Sequence, residues 1–401
     1  MIDHKTIECV GCTACAAICP RNVIRMERDP EGFQVPYIAN PELCVDCGLC
    51  ERACPVLNLA PEKPNDESAY IVQNRDIAVR KESASGGMFS AIAISVLENG
   101  GIVYGAAYDD SFQVKHIAIE NCEDLWKLRN SKYVQSNLDA VFRSVKRDLS
   151  SGRQVCFSGT PCQIEGLRSY LGKEYENLLL VDLVCHGVSS PLIWEKYLQT
   201  IRKFYPRKIY FRWKHYGYKY STMSVFDEND QEVYFAGVES DKMLRAYFTN
   251  NCDRESCYHC VFKKRYRVSD FTMWDCFQPR FFAKEFDDDM GTSCVLVNSE
   301  KGHRQFERIQ QMGLIIAKQV DAEAMTFGNH EMVGSVKRGT LRDTILIDAA
   351  KMESEELFEK YFPDTVKTRI KKSIRLFLVK SGMYNFFKYQ LFLYRRNKAK
   401  K

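Results

Sequence analysis

One stretch of this chain has no acidic residue at all: positions 365–401 hold 12 Lys/Arg and no Asp or Glu. The first 364 residues lean the other way, with 45 basic against 52 acidic, so the net charge of +5 hides an acidic body and a strongly basic tail. No run of 18 or more apolar residues escapes charge, so no spanning helix is expected. The start, Met1-Ile2-Asp3-His4-Lys5, lacks the apolar stretch of a secretory leader. No recognition motif accompanies the basic charge, which argues against a nucleic-acid partner. Lys367–Lys401 interleaves its cations with Ile374, Leu376–Val379, Phe386, Phe387 and Leu391–Leu393. A basic amphipathic helix of that kind can lie on an anionic membrane surface, or pack on the acidic body or an acidic partner.

Cysteine, by contrast, is plentiful, with 17 residues. Eight of them form two copies of C-x2-C-x2-C-x3-C-P: Cys9, Cys12, Cys15, Cys19 before Pro20, and Cys44, Cys47, Cys50, Cys54 before Pro55. In that pattern the fourth cysteine ligates the neighbouring cluster. Cys9, Cys12, Cys15 and Cys54 are therefore expected to hold one [4Fe–4S] cluster, and Cys44, Cys47, Cys50 and Cys19 the second. Zinc and disulfides fit less well, since zinc usually takes two separated pairs and disulfides need no doubled run closed by proline. Residues 1–58 resemble a bacterial-type 2[4Fe–4S] ferredoxin. Such thiolates need a reducing compartment, so the expected location is the cytoplasm.

At 401 residues the chain has room for two or three domains. Residues 56–68, polar with two prolines, read as a linker. An α/β pattern follows, with strands expected at 69–73, 102–108, 154–158 and 178–184 and helices at 89–97 and 192–205. Beyond these come aromatic-rich strands at 208–213 and 222–235, the second broken by the turn 227–230 into a hairpin, a helix at 241–248, strands at 270–274 and 294–298, and a helix at 300–311. Ser83-Ala84-Ser85-Gly86-Gly87 is a small-residue loop at a helix start, a place where exposed N–H groups can meet a phosphate. Cys162 and Cys185 sit just past the carboxyl ends of two successive strands, the rim that faces the ligand crevice in open parallel sheets. Asp182, inside an apolar strand, calls for a partner.

Cys257 and Cys260 form half of a metal site. Cys252 and Cys276 would complete it as a local zinc site; Cys162 and Cys185 would complete it as a third [4Fe–4S] cluster. Cys122, Cys156 and Cys294 read as ordinary buried cysteines.

Several stretches, in order, resemble the beta subunits of coenzyme F420 hydrogenase/dehydrogenase (FrhB/FdhB-like flavoproteins). They are Ser83–Gly87, Ser131–Ser136, Phe157–Leu167, Val184–Pro191, Cys257–Cys260 and Asp270–Trp274. The resemblance implies a mixed α+β and α/β architecture: the ferredoxin-like domain, an α/β flavoprotein domain over 69–340, and a basic helical extension over 341–401. It implies FAD held by Ser83, Ser85, Gly86, Gly87, Lys132, Tyr133, Gln135 and Thr160. It also implies a third [4Fe–4S] cluster on Cys162, Cys185, Cys257 and Cys260, which favours the cluster over zinc. Where family members often carry Gly-Asp-Phe-Trp-Gly, this chain has Met273-Trp274-Asp275-Cys276-Phe277, and nothing matches a deazaflavin-binding pattern.

The function expected is an iron–sulfur flavoprotein oxidoreductase. It would move electrons between an external donor, the clusters and FAD to reduce or oxidise a small molecule. The donor would be ferredoxin, NAD(P)H, F420H2 or a partner subunit. The alternative is a relay subunit passing electrons to a partner protein, with a weaker link to surface-polysaccharide synthesis. His186 is a weak candidate proton donor. Tyr210, Phe211, Trp213, Tyr216, Tyr218 and Tyr220 could line a substrate pocket, although aromatics in strands are more often core.

Overall fold

A computed structural model describes residues 7–399; the opening residues read for a leader lie outside them. An eight-stranded sheet organises the body. Its order is Ile315–Val320, Ser68–Asn74, Ser293–Val297, Phe271–Asp275, Leu178–Leu183, Val155–Gly159, Ile102–Tyr108, Val114–Ile119. Four central neighbours, from Phe271–Asp275 to Ile102–Tyr108, run parallel, and the flanking strands are antiparallel. Helices cover the parallel strands, which accordingly read as apolar runs: all of Leu178–Asp182 is buried. Asp182 finds its partner in Arg267, 3.3 Å away and equally buried.

The helix Pro161–Leu171 follows from its sequence. Thr160 caps its first turn through a reciprocal capping box with Gln163, and Pro161 stands where no helical N–H is needed. Gly172, with φ of +67°, ends it. This geometry sets Cys162 in the first turn, at the sheet's carboxyl rim.

A helix absent from the expectations, Ile77–Glu82, separates the first body strand from the Ser/Gly loop. Asp76 caps it by accepting from the Ala78 and Val79 N–H groups. The loop therefore joins two helices. The aromatic region forms a three-stranded antiparallel sheet, Lys208–Trp213, Thr222–Phe226 and Glu232–Gly237, including the expected hairpin.

The core does not stop at residue 340. Ile345, Leu346, Ala349, Leu357, Phe358 and Phe362 pack with Trp194, Tyr197 and Phe211 in one buried cluster. The basic extension proper is a pair of helices, Val366–Lys380 and Met383–Ala399. Among the described residues no helix is long and apolar enough to cross a membrane.

The ferredoxin-like segment carries a two-stranded hairpin, Ile24–Arg28 with Gln34–Ile38, and is seated on the body by long cations. Arg342, 2 % exposed, pairs with Glu31 at 2.5 Å and donates to the Asp253 carbonyl at 2.8 Å. Arg143 donates to the carbonyls of Ala16 and Ala17. Arg254 donates to those of Cys9 at 2.8 Å and Gln34 at 3.0 Å. The Ser190 hydroxyl donates to the Glu31 carbonyl.

Candidate functional site

The eight cysteines of the doubled run separate into two sets, and the sets cross over between the runs. Cys9, Cys12, Cys15 and Cys54 line one small cavity, closed by Ile7, Val10, Met26, Pro36 and Val56. Cys19 joins Cys44, Cys47 and Cys50 around a second cavity of about 280 Å³. The short helices Ala14–Ile18 and Leu49–Arg52 carry each fourth cysteine across to the other set. Thr13 and Gly48, both left-handed, turn the chain into them. Burial pushes the Cys12 thiol well above its ordinary value and the Cys15 thiol up to about 12. Neighbouring thiols add to both shifts: Cys9 acts on each, and Cys54 on Cys15. Thiolates crowded this way need cationic compensation, which iron supplies.

A third set gathers from distant parts of the chain. Cys162 lies in the first turn after the strand Val155–Gly159, and Cys185 two residues after Leu178–Leu183. Cys257 lies in the short helix Glu255–His259, and Cys260 directly follows it. Burial raises Cys162 to about 12 and Cys185 to about 11, and Cys260 acts electrostatically on both. Cys257 is raised well above its ordinary value by burial, then by Cys185, with a smaller effect from Cys162. Lys263 donates to the carbonyls of Cys185 and His186 and holds the Cys185 thiol down against that trend.

The local alternative is not assembled. Cys252 is buried in the core beside Asp253 and Arg342. Cys276 bonds with Cys294 across adjacent strands. Among the described residues no three His, Cys, Asp or Glu side chains close around a single ion.

The third set borders the first. Cys12 and Cys162 interact electrostatically. Gly166, one turn beyond Cys162, meets Cys12 so closely that a Cβ there would lie 2.7 Å from the Cys12 Cβ and 2.9 Å from its Sγ. A bonded link runs alongside: Arg254 holds the Cys9 carbonyl, and its own carbonyl accepts from the Cys257 N–H at 2.9 Å.

Above the sheet's carboxyl rim opens a cavity of about 660 Å³, a volume usual for small-molecule sites. Cys162, Cys185 and His186 line it, together with Ser83, Ser85, Gly87, Lys132, Tyr133, Gln135 and Thr160. Gly86 does not reach it. A Cβ there would strike the Val72 carbonyl oxygen at 2.3 Å and the Ser293 nitrogen at 2.5 Å, so Gly86 serves the close approach of the loop to the sheet. Gln135 faces two ways, because its side-chain oxygen also accepts from the Gln34 N–H of the ferredoxin-like segment at 2.8 Å.

His186 bonds Asn250 Oδ1 at 2.8 Å and lies near the Tyr247 and Phe248 rings. Burial lowers its pKa, so the ring is a neutral donor to Asn250 near pH 7. Lys132 donates to the Arg129 carbonyl at 2.9 Å and has no acidic partner among the described residues. Burial lowers it to about 7.

None of the six aromatics expected to line a pocket does so. Phe211 is core, and Tyr218 bonds Asp275 at 3.0 Å. The inward residue of that strand is Arg212, which lies between Phe211 and Trp213 in sequence and bonds Asp275 at 3.0 Å and the Tyr133 hydroxyl at 3.1 Å. The aromatic lining comes instead from other elements, Tyr247, Phe248, Trp274, Phe277, Phe327 and Phe392 among them. His116 also reaches the cavity. Its Nε2 donates to the Ser158 carbonyl at 2.9 Å, its Nδ1 accepts from Ser136 at 2.7 Å, and burial lowers it to about 4. An Arg flanked by aromatics in a strand was the available signal for Arg212; nothing local pointed to His116 or Phe392.

Known proteins resemble this chain in two parts. Residues 8–58 match the 4Fe-4S dicluster domain. Residues 69–143 and 152–323 match the N- and C-terminal parts of the coenzyme F420 hydrogenase/dehydrogenase beta subunit. The coenzyme F420-dependent sulfite reductase of Methanocaldococcus jannaschii is 28% identical over 169 residues, 40% of this chain and 24% of that protein. The chain therefore spans about a quarter of that relative's length. A ferredoxin of Alicyclobacillus acidocaldarius is 36% identical over 75 residues, 18% of this chain and 88% of that one. A chain of the F420-reducing [NiFe] hydrogenase complex from Methanosarcina barkeri aligns over 77% of this chain and 97% of its own, with a TM-score of 0.44 and 18% identity.

Proposed function

Since the chain belongs to the coenzyme F420 hydrogenase/dehydrogenase beta-subunit family, joined behind a 4Fe-4S dicluster segment, we propose that it is an iron–sulfur flavoprotein oxidoreductase acting on a small molecule. Cys9, Cys12, Cys15 and Cys54 hold one [4Fe–4S] cluster, and Cys19, Cys44, Cys47 and Cys50 hold a second. Cys162, Cys185, Cys257 and Cys260 hold a third. FAD occupies the cavity above the sheet rim. Bound there, a flavin exchanges the single electrons of clusters for the electron pairs that organic substrates take.

The observation that carries this reading is the adjacency of three features: the Cys12 edge of the first set, the Cys162 set, and a cavity of small-molecule size. The outer set, with Cys47 exposed, is where an external ferredoxin, NAD(P)H- or F420H2-dependent donor, or a partner subunit, delivers electrons. Cations tune the inner end: Lys263 stabilises the Cys185 thiolate, and Arg254 steadies the backbone between Cys9 and Cys257. Ser85 furnishes a hydroxyl, and Gly87 and the first turn of the helix Met88–Leu97 furnish N–H donors, for the cofactor's phosphates, while the Ser83 hydroxyl, donated to the Val79 carbonyl, holds the loop in place. Lys132 adds a point charge. A recessed cavity with aromatic walls, Tyr247, Phe248, Trp274 and Phe277 among them, favours an enzyme over a bare relay, which would present an exposed flavin edge. On this reading the chain works in the cytoplasm.

Anaerobic purification with iron, sulfide, zinc and flavin counted per chain tests the assignment. The expected content is about twelve irons in three [4Fe–4S] clusters and one FAD. A chain with about eight irons and one zinc would return Cys257 and Cys260 to a separate site.

Lys132 supplies a second check. An oxyanion bound beside it restores the charge that burial removes, so binding takes up a proton. Because the free lysine titrates near 7, FAD affinity is expected to stay level below that pH. Above it, affinity should fall by up to about tenfold per unit until the bound-state pKa is reached. Flavin-binding titrations at several pH values read this directly. Lys132→Met should flatten the profile; a wild-type profile already flat would remove Lys132 from the phosphate site.

A further inference from the structure

The terminal helix Met383–Ala399 reaches over the cavity mouth, and two of its side chains, Phe392 and Arg396, line the interior. Phe392 meets the Phe281 ring edge-on at 5.6 Å. The Arg396 guanidinium lies 4.4 Å from the Phe281 ring centroid and 4.9 Å from that of Phe327. Between those rings the group is fixed, yet its charge is unanswered. It forms no ion pair or hydrogen bond among the described residues, and its Nε is buried without a partner.

The other arginines of the cavity wall differ on this point. Arg212 is paired with Asp275 at 3.0 Å and Arg129 with Glu82 at 2.6 Å. A guanidinium whose Nε–H is buried and unfilled is costly to hold, and an oxyanion in the cavity would relieve that cost through a charge-assisted, two-pronged bond. Nearer its start the helix meets the body through a handful of side chains, among them Tyr389, whose ring lies 5.7 Å from the Arg280 guanidinium. Asn385 donates to Asp289 at 3.3 Å, and Tyr384 lies 5.6 Å from Tyr220. Its outer face leaves Phe386, Phe387, Leu391 and Tyr394 exposed.

We propose that the terminal helix closes the cavity over its contents and that Arg396 binds the anionic group, carboxylate or phosphate, of a small-molecule substrate. The inference rests on reading the cavity as the flavin and substrate site. The substrate class is then an organic acid or phosphate ester, held by its oxyanion at the cavity mouth, with the part to be reduced or oxidised facing inward.

The test uses the full-length, anaerobically purified chain. Hydrogen exchange of peptides spanning 383–399 is followed during titration with benzoate and, separately, with inorganic phosphate. In the wild type, and in the control Arg395→Gln, at least one of the two anions should slow exchange. The anion that does so identifies the group recognised. In Arg396→Gln the apparent affinity should fall by about 10- to 100-fold, the range for losing a charged hydrogen bond. Equal affinity in Arg396→Gln, an equal loss in Arg395→Gln, or no protection by either anion overturns the proposal. Loss of bound FAD from Arg396→Gln also overturns it, because the guanidinium would then be a cofactor ligand. FAD counted on the same samples tests the flavin reading separately. Protection that depends on Arg396 in a wild type without flavin would retire the flavin and keep the anion site.

Discussion

Replacing Cys257 by serine is expected to remove about four of about twelve irons, one [4Fe–4S] cluster, while leaving the two outer clusters intact. The side chain is buried among the other members of its set, and both Cys185 and Cys162 act on it. A hydroxyl there is a far poorer ligand than a thiolate, and the unassigned cysteines are otherwise engaged: Cys252 is buried in the core and the Cys276 thiol is hydrogen-bonded to that of Cys294. The outer sets draw every ligand from the ferredoxin-like segment, so their iron and their low-temperature electron paramagnetic resonance should persist. With the inner cluster gone, electrons delivered by reduced ferredoxin should still reach the outer clusters but stall before the cavity. Stopped-flow absorbance would then show cluster bleaching without flavin bleaching. Full iron content in the variant, or flavin reduction at the wild-type rate, would cut the third set out of the electron path.

The second large effect is expected at Gly166. Its helix, Pro161–Leu171, is fixed by the Thr160 cap at one end and Gly172 at the other. Cys162 is in its first turn, and Cys12 presses against the bare backbone of Gly166. Cys12 of one set therefore packs on the helix that carries Cys162 of another, across a gap with no room for a side chain. Gly166→Ala must push one of them aside, an overpacking cost of about 1–3 kcal/mol, which lowers Tm by a few °C in a chain of this size. Gly166→Leu should separate the two sets outright. Since electron tunnelling falls steeply with distance, the rate between outer clusters and flavin should drop far more than the stability. Ser169→Ala, on the same helix, is the control. The comparison is between Tm and the single-turnover rate of flavin reduction. A rate that follows only the loss of folded protein would show that this contact is packing and nothing more.

The cluster cysteines differ in how plainly the sequence announced them. The eight in the doubled run were legible because three members of each set are spaced locally, the fourth is exchanged with a matching run, and each run ends in proline. The third set was not decidable from spacing. Cys257 and Cys260 pair locally, but the other half of their site depends on which loops the sheet order brings together. The parallel neighbours Val155–Gly159 and Leu178–Leu183 put Cys162 and Cys185 on one rim.

The aromatic expectation failed through strand alternation. Residue types alone favoured Phe211 and Trp213 as lining, yet the pleat turns Arg212 to the cavity and its neighbours away. Gly86 was read for phosphate when its missing side chain serves the sheet. The core beyond residue 340 was hidden because its apolar positions, such as Ile345, Leu346 and Phe358, have their partners far upstream in the helix Pro191–Ile201.

Arg342 bears on the order in which the molecule is made. It grips Glu31 across 311 positions of sequence. The hold on Glu31 from this side can therefore form only once the 311 positions separating them have been translated, a delay of roughly 15 to 60 s at ordinary elongation rates. During that interval the cysteines of the ferredoxin-like segment stand open to whatever loads iron, and the surface that will receive them is still incomplete. Arg143, Ser190 and Arg254 can take hold of the segment earlier, so this guanidinium is the last of the named seating contacts to be made.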